Sequence, residues 1–222
     1  MDDIVPELLK TIQTQFEKKT YKSQKLKKAL LRLDEQKATY ADANNFAVGI
    51  GEILADVLGV TIKAEVLPDG RMYFNIAERI LNPTLQNNYD LVSEFTTEVQ
   101  TALNESAGIG LKAQTPALNQ DRIDNLIERV SGAVDFEEIK WMLQEPIINF
   151  TQSVVDDAIK ANVDFHSDAG LNPTIKRTAV GKACDWCKNV AGTYKYGSEP
   201  KDIYKRHERC RCIVDYNPKD GG

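Results

Sequence analysis

Apolar residues recur every three to four positions along most of the first 171 residues, which is the spacing of one face of an α-helix. The first such run follows Pro6, a residue that suits the first turn of a helix. Further helical patterns cover residues 23–58, 84–106, 119–130 and 135–165. Gly49 and Gly51 are predicted weak points of the second helix. Pro146 should kink or split the last one, because proline lacks the amide hydrogen that a helix interior needs.

The pattern changes its period between residues 60 and 75. Residues 60–66 alternate between apolar and polar side chains, and the Pro68-Asp-Gly sequence that follows is strong turn chemistry. Strand-forming residues come directly after this turn, at 71–74. The sequence therefore predicts a β-hairpin between two helices at 60–75.

Beyond the glycine- and proline-containing segment 168–173, the pattern is short and mixed. Strands are predicted over residues 174–179, 192–196 and 213–216, and one or two helical turns over 200–206. We therefore divide the chain into a mainly α-helical body with one β-hairpin, residues 1–171, and a small α+β module, residues 172–222. A module of about 50 residues buries little apolar surface and often needs a metal ion or a disulfide to fold.

The net charge of −5 conceals a division along the chain. Residues 1–37 carry 9 basic and 6 acidic side chains, residues 38–171 carry 8 and 21, and residues 172–222 carry 11 and 6. The average excludes a uniformly basic nucleic-acid-binding protein. The strongly acidic middle segment favours contact with protein partners or solvent over contact with DNA.

The N-terminal sequence MDDIVPELLK is acidic and contains no long apolar stretch. It is unlike a signal peptide, and no run in the chain approaches the roughly 18 apolar residues of a membrane helix. In a protein that is not secreted, reduced cysteines are the default state, and this state favours metal binding over disulfides. We therefore expect no membrane insertion and reduced cysteines.

All four cysteines lie in the C-terminal segment, in two short groups. Cys184 and Cys187 form a C-x-x-C pair, and 20 residues later an H-x-x-C-x-C group supplies His207, Cys210 and Cys212. Zinc prefers four thiolate or imidazole ligands in a tetrahedron, so the two groups predict a structural zinc site. Five candidates compete for four positions. Because side chains two apart on a strand point to opposite faces, His207 is favoured over Cys212 unless the chain bends there.

Other fates of these cysteines stay open. They could be buried and reduced without a metal, or form two disulfides after oxidation. A redox-active C-x-x-C is disfavoured because the pair does not follow a strand of a βαβ unit. A closed four-ligand site leaves no position for a catalytic water, and the chain contains no G-x-S-x-G, phosphate-binding glycine loop or H-E-x-x-H. We expect no enzymatic activity.

The same segment carries a specific set of motifs. They are Arg177-Thr-Ala, Cys184-Asp-Trp-Cys, Ala191-Gly-Thr-Tyr and His207-Glu-Arg-Cys-Arg-Cys-Ile-Val. Over about 45 residues this set resembles the C-terminal domain of the Mu F-type phage minor head proteins, a phage head morphogenesis family. The helical body also resembles the N-terminal part of minor head proteins from phages of Gram-positive bacteria, through less specific motifs.

The resemblance implies a structural protein of the virion that acts in head morphogenesis. Such proteins are made in the cytoplasm of the bacterial host and lie inside the head in a few copies. They associate with portal, capsid or scaffolding proteins, and some are thought to leave the head with the DNA. Roles in DNA packaging or ejection, with non-specific DNA contact, are therefore also implied.

Two groups of basic residues are candidates for contact with DNA phosphates. The first surrounds the predicted zinc site and consists of Lys205, Arg206, Arg209 and Arg211. The second is more simply explained as a solvated helix face and consists of Lys18, Lys19, Lys22, Lys25, Lys27, Lys28 and Arg32. Two alternative functions follow: a small zinc-containing nucleic-acid-binding protein, and a nuclease or effector enzyme that would use Glu208.

Three residues of the last long helix have chemistry that suits a site but also a simpler explanation. Asp156 and Asp157 are adjacent, and adjacent helical side chains do not converge on one point, so we expect both on the surface. His166 lies at the predicted helix end, where we expect it to be exposed or to cap the helix.

Overall fold

The computed structural model describes residues 3–207 and 209–218. Within these ranges the helices are α1 (Val5–Lys22), α2 (Gln24–Asp34), α3 (Tyr40–Thr61), α4 (Phe74–Ser106), α5 (Gln120–Ser131), α6 (Phe136–Ile139), α7 (Glu145–Asp168) and α8 (Asp185–Val190). The strands are β1 (Thr174–Thr178), β2 (Gly192–Lys195) and β3 (Ile213–Asn217). The predicted class, mainly α with a small α+β end, is confirmed at this level.

Helix α3 is the centre of the helical body and packs against α1, α2, α4 and α7. The helix predicted over 23–58 is two helices, and the break falls at 35–39 rather than at Gly49 or Gly51. Thr39 caps α3 together with Asp42, whose carboxylate accepts the Thr39 amide at 2.9 Å. Gly51 instead allows close packing, because a Cβ there would lie 2.9 Å from the Cα of Ile148 in α7.

By length and composition alone, α3 is apolar enough to cross a membrane, with a mean hydropathy of 1.2 over its best 18-residue window. Two thirds of that window, 67%, is buried inside the protein. Helix α3 packs against four other helices, as the core helix of a folded bundle does.

The β-hairpin predicted at 60–75 is wrong. Two short 3-10 helices, Ala64–Val66 and Pro68–Gly70, connect α3 to α4 instead. The turn is present, with positive φ at Asp69 and Gly70, but no strands flank it. Of the apolar residues that alternate at 60–66, Ile62 is buried, whereas Val60 and Val66 are exposed. Leu67 and Met72 of the connection pack against the helical core.

The remaining helix predictions hold with shifted ends. Helix α4 starts ten residues before the predicted position and includes Pro83. The helix predicted over 119–130 is α5, and its first predicted residue, Asn119, is the N-cap, whose side chain accepts a hydrogen bond from the Arg122 amide. Pro146 divides the last predicted helix, because it lies in the first turn of α7 and the 3-10 helix Lys140–Leu143 precedes it.

The three strands form one antiparallel sheet in the order β2-β1-β3. Ile175 of β1 pairs with Tyr194 of β2 and Tyr216 of β3. All three predicted strands are therefore present. The predicted helical turns over 200–206 are hydrogen-bonded turns without a helix, and the short α8 was not predicted.

The hydrophobic core continues across the predicted domain boundary. Ile175, Val214 and Tyr216 belong to the same buried cluster as the helical residues, and β3 packs on α3 and α7. The Tyr216 ring lies 5.8 Å from that of Tyr40 at the start of α3. The division at 171/172 stays a prediction, and this shared core couples its two parts.

Candidate metal centre

Local turns place the five cysteine and histidine side chains at one point beside the sheet. Cys184 is the N-cap residue of α8, and Cys187 lies in its first turn. Arg209 adopts a left-handed conformation with φ 58°, and the Cys210 amide donates to the His207 carbonyl at 3.1 Å. This turn directs the second group back towards the first.

The ligand atoms form two triplets that share Cys187, each with all of its atoms within 4.8 Å of one another. In the first, His207 Nε2 lies 3.3 Å from Cys184 Sγ and 2.8 Å from Cys187 Sγ. In the second, Cys187 Sγ lies 3.7 Å from Cys210 Sγ, and Cys212 completes the triplet. Zinc–sulfur bonds of about 2.3 Å in a tetrahedron place neighbouring sulfurs about 3.8 Å apart. The cluster could therefore hold a metal ion.

The structure does not support a preference for His207 over Cys212. The strand geometry assumed for the C-x-C pair starts only at Ile213, so Cys210 and Cys212 lie before it and both reach Cys187. All four cysteines are free thiols, and Cys184 alone among them is exposed.

The pKa values of the buried thiols are shifted in different directions. The hydrogen bond from Cys212, helped by the nearby charge of Arg206, lowers the pKa of Cys210 to about 4. The same contact raises the pKa of Cys212, and burial raises the pKa of Cys187. A bound metal cation would favour the deprotonated form of each thiol that ligates it.

Helix α7 contacts the segment that carries His207, Cys210 and Cys212. It does so through four polar side chains on one face, here called the α7 polar stripe. Their spacing of four, three and four residues is that of one helix face. The stripe consists of Glu145, Asn149, Gln152 and Asp156. This spacing is visible in the sequence, but α7 also carries other polar residues such as Asp157 and Lys160, so the spacing alone did not single out the stripe.

The last residue of the stripe, Asp156, forms a buried ion pair with Arg206. Arg206 donates to both carboxylate oxygens of Asp156, with the Nη2–Oδ1 distance 2.8 Å, and the two side chains are 4% and 1% exposed. Arg206 also donates to the Cys212 carbonyl at 2.8 Å and to Asn44 of α3 at 3.1 Å. The guanidinium of Arg206 therefore connects α3 and α7 to the backbone at Cys212.

The rest of the stripe contacts the same segment. Asn149 donates to the His207 carbonyl at 3.2 Å, and Glu145 pairs with Arg211 at 3.1 Å. In the amide orientation that satisfies both of its polar atoms, Gln152 donates to the Cys210 carbonyl at 3.0 Å. The backbone that carries the ligands is therefore positioned by α7.

Arg177 of β1 supports the cluster from the opposite side and is 2% exposed. It donates to the Ile203 carbonyl, and its Nη2 lies 3.5 Å from Cys210 Sγ. Its guanidinium lies 5.2 Å from the ring of Trp186, which contacts His207 edge-on. Arg177 belongs to the motifs quoted above, although nothing in its spacing indicated burial.

The basic residues proposed for DNA contact differ in accessibility. The prediction is wrong for Arg206, because its buried guanidinium is engaged by Asp156. Arg211 is paired with Glu145, whereas Lys205 is exposed and pairs with Asp202 at 2.7 Å, and Arg209 is exposed. Glu208 lies outside the described residues.

In the N-terminal basic group, three cations form ion pairs with carboxylates of α3. The pairs are Lys19–Asp56, Lys25–Glu52 and Arg32–Asp42. The simpler explanation, a solvated and paired helix face, fits these contacts.

Two surface predictions are wrong for a shared reason. Asp156 faces Arg206, and His166 is fully buried, with its Nδ1 3.2 Å from the hydroxyl of Tyr216. Burial lowers the pKa of His166. In both cases the covering residue comes from a segment 50 positions away, which helical spacing could not reveal. Asp157 is half-buried.

No family model, curated protein or solved structure matches the chain. The function proposed below therefore rests on the residues and contacts of this chain. Among the described residues, the cysteine and histidine cluster is the group whose donors could hold a metal ion.

Proposed function

We propose that the cluster binds one structural zinc ion and that the protein is a minor head protein of a phage. The observation that supports the proposal is the convergence of Cys184, Cys187, His207, Cys210 and Cys212 in two triplets that share Cys187. These residues are the ones whose spacing resembles the Mu F-type C-terminal domain. The resemblance comes from the spacing of these residues along the chain, and the convergence comes from the folded chain.

The donor set argues for zinc. Three or four thiolates with at most one imidazole suit zinc, whereas magnesium and calcium prefer oxygen donors. Neither triplet contains a carboxylate. Bound there, zinc would cross-link the start of α8, which carries Cys184 and Cys187, to the segment before β3. A site with four protein ligands is closed, so the ion would have a structural and not a catalytic role.

A structural role also agrees with how the cluster is supported. The α7 polar stripe and Arg177 fix the ligand segment from two sides, so the metal-binding end and the helical body form one packed unit. The role is non-enzymatic: the protein lies inside the head, in a few copies, and binds portal, capsid or scaffolding proteins. Its acidic helices would face those partners, with a part in packaging or ejection.

The zinc proposal is tested by metal analysis of the full chain purified without added zinc. We expect about one equivalent, and a strong loss in Cys187→Ser, because this cysteine belongs to both triplets. Lys188→Gln, at the neighbouring exposed position, is the matched control. A zinc content well below one equivalent in the unmodified protein would reject the metal.

The virion proposal needs a separate experiment. Mass spectrometry of purified virions of the phage that encodes the chain should detect its peptides at a few copies per particle. Absence of its peptides from the particle would contradict the proposal of a head protein and would not affect the proposal of a zinc site. Turnover of nucleic acid by the purified protein would instead favour the nuclease alternative.

A further inference from the structure

A cleft of about 610 Å³ lies between α5, the 3-10 helix before α7, the start of α7 and residues 204–206. This volume is within the range of ligand-binding pockets. The side chains that give it chemical character are Arg122, Arg129, Trp141, Asn149, Tyr204 and Lys205. The cleft contains none of the cysteine and histidine ligands, although Asn149 and Arg206 line it and also contact the backbone that carries those ligands.

The cleft is basic, although α5 and α7, which form much of it, belong to the acidic segment 38–171. Four cationic side chains line it and no carboxylate does. Lys205 and Arg206 are engaged by aspartates, whereas Arg122 and Arg129 are exposed and form no ion pair with any described residue. Both lie on one face of α5, seven residues apart, or about 10 Å along the helix. Such a pair attracts an anion with more than one charged group.

The cleft also offers an aromatic surface. The side chain of Trp141 is 46% exposed, although an indole ordinarily gains stability from burial. Two lining residues keep buried polar atoms without a hydrogen-bond partner among the described residues, namely Asn149 Oδ1 and Tyr204 Oη. Both atoms are closed off from solvent, so the exposed ring of Trp141 is the surface that the cleft presents to a ligand.

We propose that this cleft binds a nucleoside phosphate whose base is unpaired. The base stacks on Trp141, and Arg122 and Arg129 bind phosphate oxygens. Aromatic stacking requires an accessible base face, so a closed duplex is a poor ligand. This inference rests on the cleft alone and is independent of both the zinc site and the virion.

The test uses the full, metal-loaded chain and a fluorescein-labelled 12-residue oligothymidine, followed by anisotropy. We expect the double variant Arg122→Gln/Arg129→Gln to bind at least tenfold more weakly. It should also reduce the slope of log affinity against log salt by about 1.4, because each phosphate contact to a single strand contributes about 0.7. Arg71→Gln, which removes an arginine outside the cleft, should change neither quantity.

Stacking has its own readout, because the chain contains two tryptophans. The oligonucleotide should quench tryptophan fluorescence in the unmodified protein and not in Trp141→Leu, which retains Trp186. This variant should also bind about tenfold more weakly, since stacking contributes roughly 1–3 kcal/mol per base. Phe74→Leu changes an exposed aromatic residue elsewhere and serves as the control.

Competition with free thymidine monophosphate separates the two sources of the ligand. Displacement at similar nucleotide concentrations identifies a free nucleotide, and displacement by the strand alone identifies single-stranded DNA; both support the cleft. Equal affinity for duplex DNA, or binding that both cleft variants leave unchanged, would overturn the proposal. So would the absence of any binding at low salt.

Discussion

The buried pair of Asp156 and Arg206 makes the strongest stability prediction. Asp156→Asn keeps the size and shape of the side chain but removes its charge, leaving the Arg206 guanidinium buried without a counter-ion. Removing one partner of a buried pair costs about 3–5 kcal/mol. A loss of this size requires that both side chains are excluded from solvent, and here Arg206 is 4% and Asp156 is 1% exposed.

A loss of this size is a large part of the roughly 5–15 kcal/mol that stabilises a typical domain. For a chain of this length, it lowers the melting temperature by about 6–20 °C, at about 2–4 °C per kcal/mol. Thermal and urea unfolding followed by circular dichroism measure it. The matched control is Asp56→Asn, whose partner Lys19 is exposed, and exposed pairs contribute about 0–1 kcal/mol.

The reasoning would be refuted by a loss no larger than that of Asp56→Asn. A double variant, Asp156→Leu/Arg206→Met, sharpens the test. Replacing both members of a buried pair by apolar residues is often neutral or stabilising, so we expect it to recover much of the loss. If the double variant is as unstable as Asp156→Asn, the damage comes from the lost contacts to Asn44 and the Cys212 carbonyl instead.

Three further predictions follow from the same packing. Cys187→Ser should lose more metal than Cys184→Ser, because Cys187 belongs to both triplets and Cys184 to one; equal losses, measured as bound metal per chain, would contradict the shared position. Burial lowers the pKa of His166, so the folded state binds fewer protons than the unfolded state and stability falls as the pH drops below the ordinary histidine pKa of about 6.5. Urea unfolding at pH 5.5 to 7.5 should show this loss, by at most about 1.4 kcal/mol per pH unit, and His166→Gln should flatten it; an unchanged pH profile would count against the buried neutral imidazole. Gly51→Ala should cost about 1–3 kcal/mol because its Cβ would lie 2.9 Å from the backbone of α7, whereas Gly110→Ala, with open space around it, should be near neutral by thermal unfolding; equal melting temperatures would refute the close packing.

Helix positions were predictable because their signals are local. The periodic apolar residues of α5, Ile123, Leu126, Ile127 and Val130, are read from neighbouring positions, and all four are buried as predicted. The same rules failed at 60–75, where Val60, Ile62 and Val66 alternate with polar residues but only Ile62 is buried. Alternation of apolar and polar residues therefore did not identify a strand or a buried face there.

The candidate metal centre likewise has a part that could be predicted from the sequence and a part that could not. The spacing of its five ligand residues was enough to nominate them, because two knuckles of this kind can approach one metal. Their support could not be predicted: Arg177 looked like an ordinary strand residue, and Asp156 like a surface carboxylate. Both became buried only because segments far along the chain cover them.

By itself, the sequence determined which segments are helical, which residues could ligate a metal, and where the charge divides along the chain. These properties depend on residue type and short spacing, so they survive without a fold. The tertiary structure alone decided that Asp156 faces Arg206, that His166 is buried, and that Arg122, Arg129 and Trp141 line one cleft. Burial and charge pairing depend on elements that meet only when the chain folds, and so does the energy of each contact.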